Sequence, residues 1–127
     1  MTRYQELWLE AFIHTQIIEV SVGLLFIYIL GIRGVLSQSI DWKRDPLVLF
    51  IASGLTHPPL WFILPNLCKQ WGFTYSQYLW LGEGLVTLFE GLWYTWALRG
   101  VKRRVWLGLA LSVSLNYISY SIGAWMR

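Results

Sequence analysis

The sequence is poor in charge. Of its 127 residues, 13% are Asp, Glu, Lys or Arg and 56% are hydrophobic, whereas a soluble domain carries about 25% charged residues. That deficit excludes a surface facing water on every side. Cysteine is nearly absent: Cys68 stands alone, which excludes an internal disulfide and any CxxC metal or redox motif. No Walker A, GxSxG, HExxH or GxGxxG pattern occurs, so no soluble-enzyme motif points to catalysis. Linkers, low-complexity stretches and clear repeats are missing too, and residues 1–127 are expected to form a single transmembrane domain.

What the chain has is long apolar runs. Four stand out: Leu7–Ile32, Pro46–Leu64, Tyr78–Leu98 and Val105–Met126. Each is near or above the roughly 20 residues that cross about 30 Å of hydrocarbon at 1.5 Å per residue. The first is not a cleavable signal, because Glu6, Glu10 and Glu19 lie in or before its apolar part and no small-residue cleavage site follows. It is expected to stay in the mature protein. The expected fold is all-α: an antiparallel bundle of four transmembrane helices, at about 7–32, 46–64, 75–98 and 104–126, with sequential neighbours in contact. The first connection holds Gly34, Ser37, Gln38 and Ser39, and the third is a tight basic turn around Gly100.

The net charge of +3 does not signal nucleic acid, because the basic residues sit at the ends of the apolar runs. Arg33, Lys43, Arg44, Arg99, Lys102, Arg103 and Arg104 lie on one side, against Arg3, Lys69 and Arg127 on the other. The positive-inside rule then puts both termini on the non-cytoplasmic side of a multi-pass membrane protein. Tryptophan supports that register: Trp8, Trp71 and Trp125 fall at the outer ends, and Trp42, Trp96 and Trp106 at the inner ends, as interfacial anchors do.

The informative residues are the polar ones within the spans, since a charge at the bilayer centre costs roughly 2.5–3.5 kcal/mol on insertion scales. His14, His57, Glu83 and Asn116, one per span, lie at one depth, roughly 12–14 Å below the outer boundary at 1.5 Å per residue. In the first span Glu10 and His14 are four apart and share a face; they either share a proton or a metal, or Glu10 sits in interfacial water and His14 bonds a neighbour. Glu19 projects about 140° away from His14, so one polar face of this helix is expected to find a partner outside the bundle. In the second span Pro58 and Pro59 beside His57 remove two backbone donors and free the carbonyls of Gly54 and Leu55. Either the helix breaks there, as at transporter binding sites, or it kinks and the Ser53 and Thr56 hydroxyls satisfy the carbonyls. In the third span Glu83, Thr87, Glu90 and Tyr94 form one stripe, flanked by Gly84 and Gly91, which allow close packing. The two acids are either stepping stones for protons or cations or interhelical hydrogen-bonding groups. In the fourth, Gly108, Ser112, Asn116, Ser119 and Gly123 read mainly as a close-packing face, with Asn116 able to bond across helices.

Three functions fit these residues. The first is a small transporter or channel-like protein that moves protons or a small cation or solute along Glu83 and Glu90, with His14, His57, Asn116 and Glu10 beside the path. The second is a non-catalytic accessory or assembly subunit, docked in the bilayer as a homo-oligomer or to a partner subunit through the first or third helix. The third is an intramembrane metal- or cofactor-binding enzyme with Glu10, His14, His57 and Glu83 as ligands, a set suited to zinc or iron. No particular cofactor is indicated.

Overall fold

A computed structural model describes residues 1–36, 41–98, 101 and 103–126. Ser37, Gln38 and Ser39 of the first connection, Arg99, Gly100 and Lys102 of the third, and Arg127 lie outside the described residues. The described residues form five helices and no strand: α1 (Arg3–Ile32), α2 (Asp45–Phe62), α3 (Leu64–Gln70), α4 (Tyr75–Ala97) and α5 (Arg104–Trp125). Three helical stretches are long and apolar enough to cross a membrane: Arg3–Ile32, Asp45–Gln70 and Arg104–Trp125. At 23 residues, α4 has the length but is less apolar, because Glu83, Glu90 and several glycines occupy it.

The helix starts follow from local chemistry. Thr2 accepts from the Gln5 amide at 3.3 Å while the Gln5 side chain accepts from the Thr2 amide at 2.9 Å. Thr74 and Gln77 repeat this reciprocal box at the start of α4. Before α2, the Asp41 carboxylate accepts from the Lys43 and Arg44 amides at 2.9 and 3.1 Å. Those two amides hold its pKa below the ordinary aspartate value.

Pro58 and Pro59 do not break the chain: α2 runs through both to Phe62. The Ser53 and Thr56 hydroxyls do not turn to the Gly54 and Leu55 carbonyls either. Thr56 bonds back to the Ala52 and Ser53 carbonyls at 3.2 and 3.3 Å, and Ser53 bonds across the bundle. The interruption falls at Ile63, two residues before Pro65. Pro65 has no amide to offer the Trp61 carbonyl, and the Tyr4 hydroxyl of α1 donates to that oxygen instead, at 2.6 Å.

The long helices close into a ring. α1 packs on α2 and α5, and α4 packs on the same two from the other side. Cross-links fix the directions. Tyr4 meets Trp61 while Gln16 meets Phe50, and Tyr78 meets Leu60 while Trp93 meets Val48. α2 is therefore antiparallel to both neighbours, as short connections require. At the basic end Arg44 donates to the Ala97 carbonyl, where a cation complements the C-terminal end of α4. The apolar core of Leu49, Ala52, Tyr94, Leu111 and Leu115 lies mostly toward that end. Trp42, Trp71, Trp96, Trp106 and Trp125 are exposed near helix ends, as belt residues are. Trp8 departs from the expected belt: it stacks on Phe12, centroids 5.4 Å apart, and meets Phe62 edge-on.

α4 and α5 approach most closely where glycine allows it. A Cβ on Gly108 would stand 2.5 Å from Thr95 Oγ1 and 2.7 Å from the Thr95 nitrogen. Around Gly84 and Gly123, expected to serve the same purpose, nothing lies within 4 Å of such a Cβ. Gly108→Ala should therefore destabilise the bundle by about 1–3 kcal/mol, the usual cost of overpacking. Gly84→Ala should be neutral or stabilising by up to about 1 kcal/mol through helix propensity. Unfolding curves in detergent test the pair, and equal effects would show that the α4–α5 contact is not glycine-limited.

Candidate functional site

The polar groups that meet inside the ring belong to all four long helices. α1 brings Glu19, 2% exposed, and α4 brings Glu90, 1% exposed. α2 serves both from one face, since Ser53 and Thr56 are three residues apart. Ser53 Oγ donates to Glu19 Oε2, and Thr56 Oγ1 donates to Glu90 Oε1 at 2.9 Å. α5 completes the layer: Asn116 Nδ2 donates to the other oxygen of Glu90 at 2.7 Å, and the Ser119 hydroxyl approaches Glu19. Ser112, fully buried, donates to the Thr87 carbonyl at 2.7 Å and ties α5 to α4 beside the site.

Every donor to these carboxyls is neutral. Among the described residues the geometry records one salt bridge, between Arg3 and Glu6 at the exposed start of α1. Glu83 lies two turns from Glu90 along α4, about 10 Å at helical rise. It is half-buried, with Glu19 and Glu90 both within its electrostatic reach. Three acids thus share the interior without a cationic partner. Toward the basic end the layer is closed by Leu49, one turn beyond Ser53, and Tyr94, one turn beyond Glu90. The Tyr94 hydroxyl is buried without a hydrogen-bond partner.

The layer expected at one depth assembles only in part. Of its four members Glu83 and Asn116 belong to the interior, beside Glu90 of the α4 stripe. His57 is off to one side, against Phe12 with ring centroids 5.5 Å apart, its Nδ1 buried without a partner. Glu10 and His14 are exposed on the outside of α1. Of the two polar faces expected on α1, the one with Glu19 points inward and the one with Glu10 and His14 is left outside. The buried face is Gln16, Glu19 and Gly23, at offsets of three and four. Gly23, where a Cβ would lie 2.6 Å from Leu49 Cδ2, was the sequence signal for that face, because close helix packing needs a small residue. Asn116, expected to bond across helices, does so, and its partner is Glu90. Glu10, His14, His57 and Glu83 do not come together as ligands, and among the described residues no group of three or more His, Cys, Asp or Glu could hold a metal ion.

Beside the site, α2, α3 and α4 leave an apolar groove of about 340 Å³, lined by Leu55, Pro59, Leu85, Val86 and Phe89 among others, with Thr56 its one hydroxyl. The groove and the polar layer therefore share Thr56.

Breaking the Asn116–Glu90 bond should be measurable. Asn116→Ala should lower stability by about 1–2 kcal/mol, as for a hydrogen bond to a buried acid, and by less than half that on a Glu90→Leu background. A double-mutant cycle reads the coupling, and strict additivity would show that the two side chains do not act together.

Compared with known proteins, the chain matches no family model, no curated protein and no solved structure.

Proposed function

From two enclosed carboxyl groups, Glu19 and Glu90, served only by neutral donors, with half-buried Glu83 two turns away, we infer a small membrane transporter or channel-like protein that carries protons or a small monovalent cation. Carboxyls placed for packing alone would be costly in hydrocarbon, and a charged interior group in a membrane protein by default marks an ion or proton path. A proton or a cation is what these groups lack, and both are exchangeable cargo.

The path begins at Glu83, the most accessible of the three, and continues two turns deeper to Glu90 and across the layer to Glu19. Hydroxyls of Ser53 and Thr56 and the amide of Asn116 hold the deeper carboxyls in place. Leu49 and Tyr94 form the barrier at the basic end, so passage needs this plug to open. In this reading α4 is the fourth crossing: its acids turn into the ring and its apolar residues outward. The basic end faces the cytoplasm and both termini lie on the opposite side, as the distribution of Arg and Lys requires.

Flux into liposomes tests the path. Glu90→Gln should slow proton- or cation-driven flux by at least about tenfold, equivalent to about 1.4 kcal/mol in the barrier. His57→Ala, off the line, should change it less than about twofold on the same scale. Wild-type flux no greater than in protein-free liposomes would remove the transport reading and leave the accessory-subunit one.

Orientation has its own test. In a Cys68→Ser background, a cysteine replacing Thr2 should react with an impermeant maleimide on intact cells, and one replacing Lys43 only after permeabilisation. The opposite pattern would invert the assignment.

A further inference from the structure

The outer face of α1 carries a regular seam. Leu7, His14, Ser21 and Tyr28 recur every seventh residue, with Glu10 and Ile17 between the first three, and all six are exposed. Spacings of three and four summing to seven keep a stripe on one side of a helix wound against another, the pattern of a left-handed two-helix seam. The opposite face, Gln16, Glu19 and Gly23, is already used inside the ring.

Two members of this seam are out of place facing lipid. Tyr4 bonds the Trp61 carbonyl near the end of α2, and α2, with 18 residues, rises about 27 Å, close to the thickness of the hydrocarbon core. Counting from Tyr4, Glu10 lies about 9 Å and His14 about 15 Å deep at helical rise. Neither has a hydrogen-bond or ion-pair partner among the described residues. An acid near the interface and an imidazole near the midplane, both turned outward, call for a partner on that side.

The seam is complementary to itself. A two-fold axis along the membrane normal sets equal residues of two parallel helices opposite each other. Glu10 and His14 are one turn apart along the seam, an offset that two long side chains on facing helices can span. The imidazole of one copy is then within side-chain reach of the carboxyl of the other, and the contact occurs twice. Ser21, small and polar, lets the two backbones come close farther along.

We propose that α1 pairs with α1 of a second copy of this chain through the Leu7–Tyr28 seam, Glu10 of each copy meeting His14 of the other. Oxidative cross-linking in the membrane tests this. In a Cys68→Ser background, Ile17→Cys should give a disulfide-linked dimer, because the two-fold sets Ile17 against Ile17. Leu85→Cys, exposed on α4, should not. Adding His14→Glu to Ile17→Cys places four carboxyls together and should cut the cross-linked fraction severalfold. The exchange Glu10→His with His14→Glu restores opposite charges and should recover it, which separates pairing chemistry from a folding defect. Equal cross-linking at Ile17→Cys and Leu85→Cys, no cross-linking at Ile17→Cys, or failure of the exchange to rescue would each overturn the proposal. So would a strictly monomeric mass for the unaltered protein in mild detergent.

Discussion

Glu90 accepts from Thr56 of α2 and from Asn116 of α5, and these two bonds tie three of the four long helices to one carboxyl. In water such bonds would be worth little net, because solvent competes for both partners. In a hydrocarbon interior the competitor is gone and an unmet carboxyl is costly. The arrangement of the ring follows from meeting that demand. α2 must present Thr56 toward α4 and, one turn away, Ser53 toward α1. α5 must present Asn116 to α4 and Ser119 to α1. Glycine at position 108 then lets α5 come close enough to α4 for the amide to reach.

The same demand accounts for α4. Taken alone it is the least membrane-like of the long helices. Inside the ring its two acids, Tyr94 and the Gly91 face all turn toward neighbours, and Leu85, Leu88, Phe89 and Leu92 remain outside. Its polarity is directional rather than general, which an average along the sequence cannot express. The prolines of α2 illustrate a related point. Two consecutive prolines remove donors without ending the helix, because packing on α1 and α4 holds the backbone in line. The chain yields at Ile63 instead, close to the end of the ring, where Pro65 takes away one more donor and Tyr4 fills the place.

Much of this is legible in the sequence. The four long apolar runs coincide with the long helices. Glu83 and Glu90 were visible as one stripe because a seven-residue spacing keeps two residues on one side of a helix whatever surrounds it. Glu19 was harder to place. Periodicity shows that Glu19 and the Glu10–His14 pair lie on different faces of α1, but the rule is symmetric and does not tell inside from outside. Gly23 held the answer, but a glycine in an apolar run signals close packing only once its neighbour, Leu49, is known.

Composition and spacing alone therefore determined that the chain is a membrane-embedded helical bundle, where its four long helices run, though not the short α3 in the connection after α2, and which residues share a face. Those are properties of a single helix and of its transfer out of water, set by local backbone geometry and side-chain hydrophobicity. Tertiary structure alone decided how each helix is turned. Glu19 and Asn116 went into the ring, Glu10 and His14 went out of it, and His57 packed among aromatic rings. The free energy that fixes rotation comes from hydrogen bonds and close contacts between helices that no single segment contains.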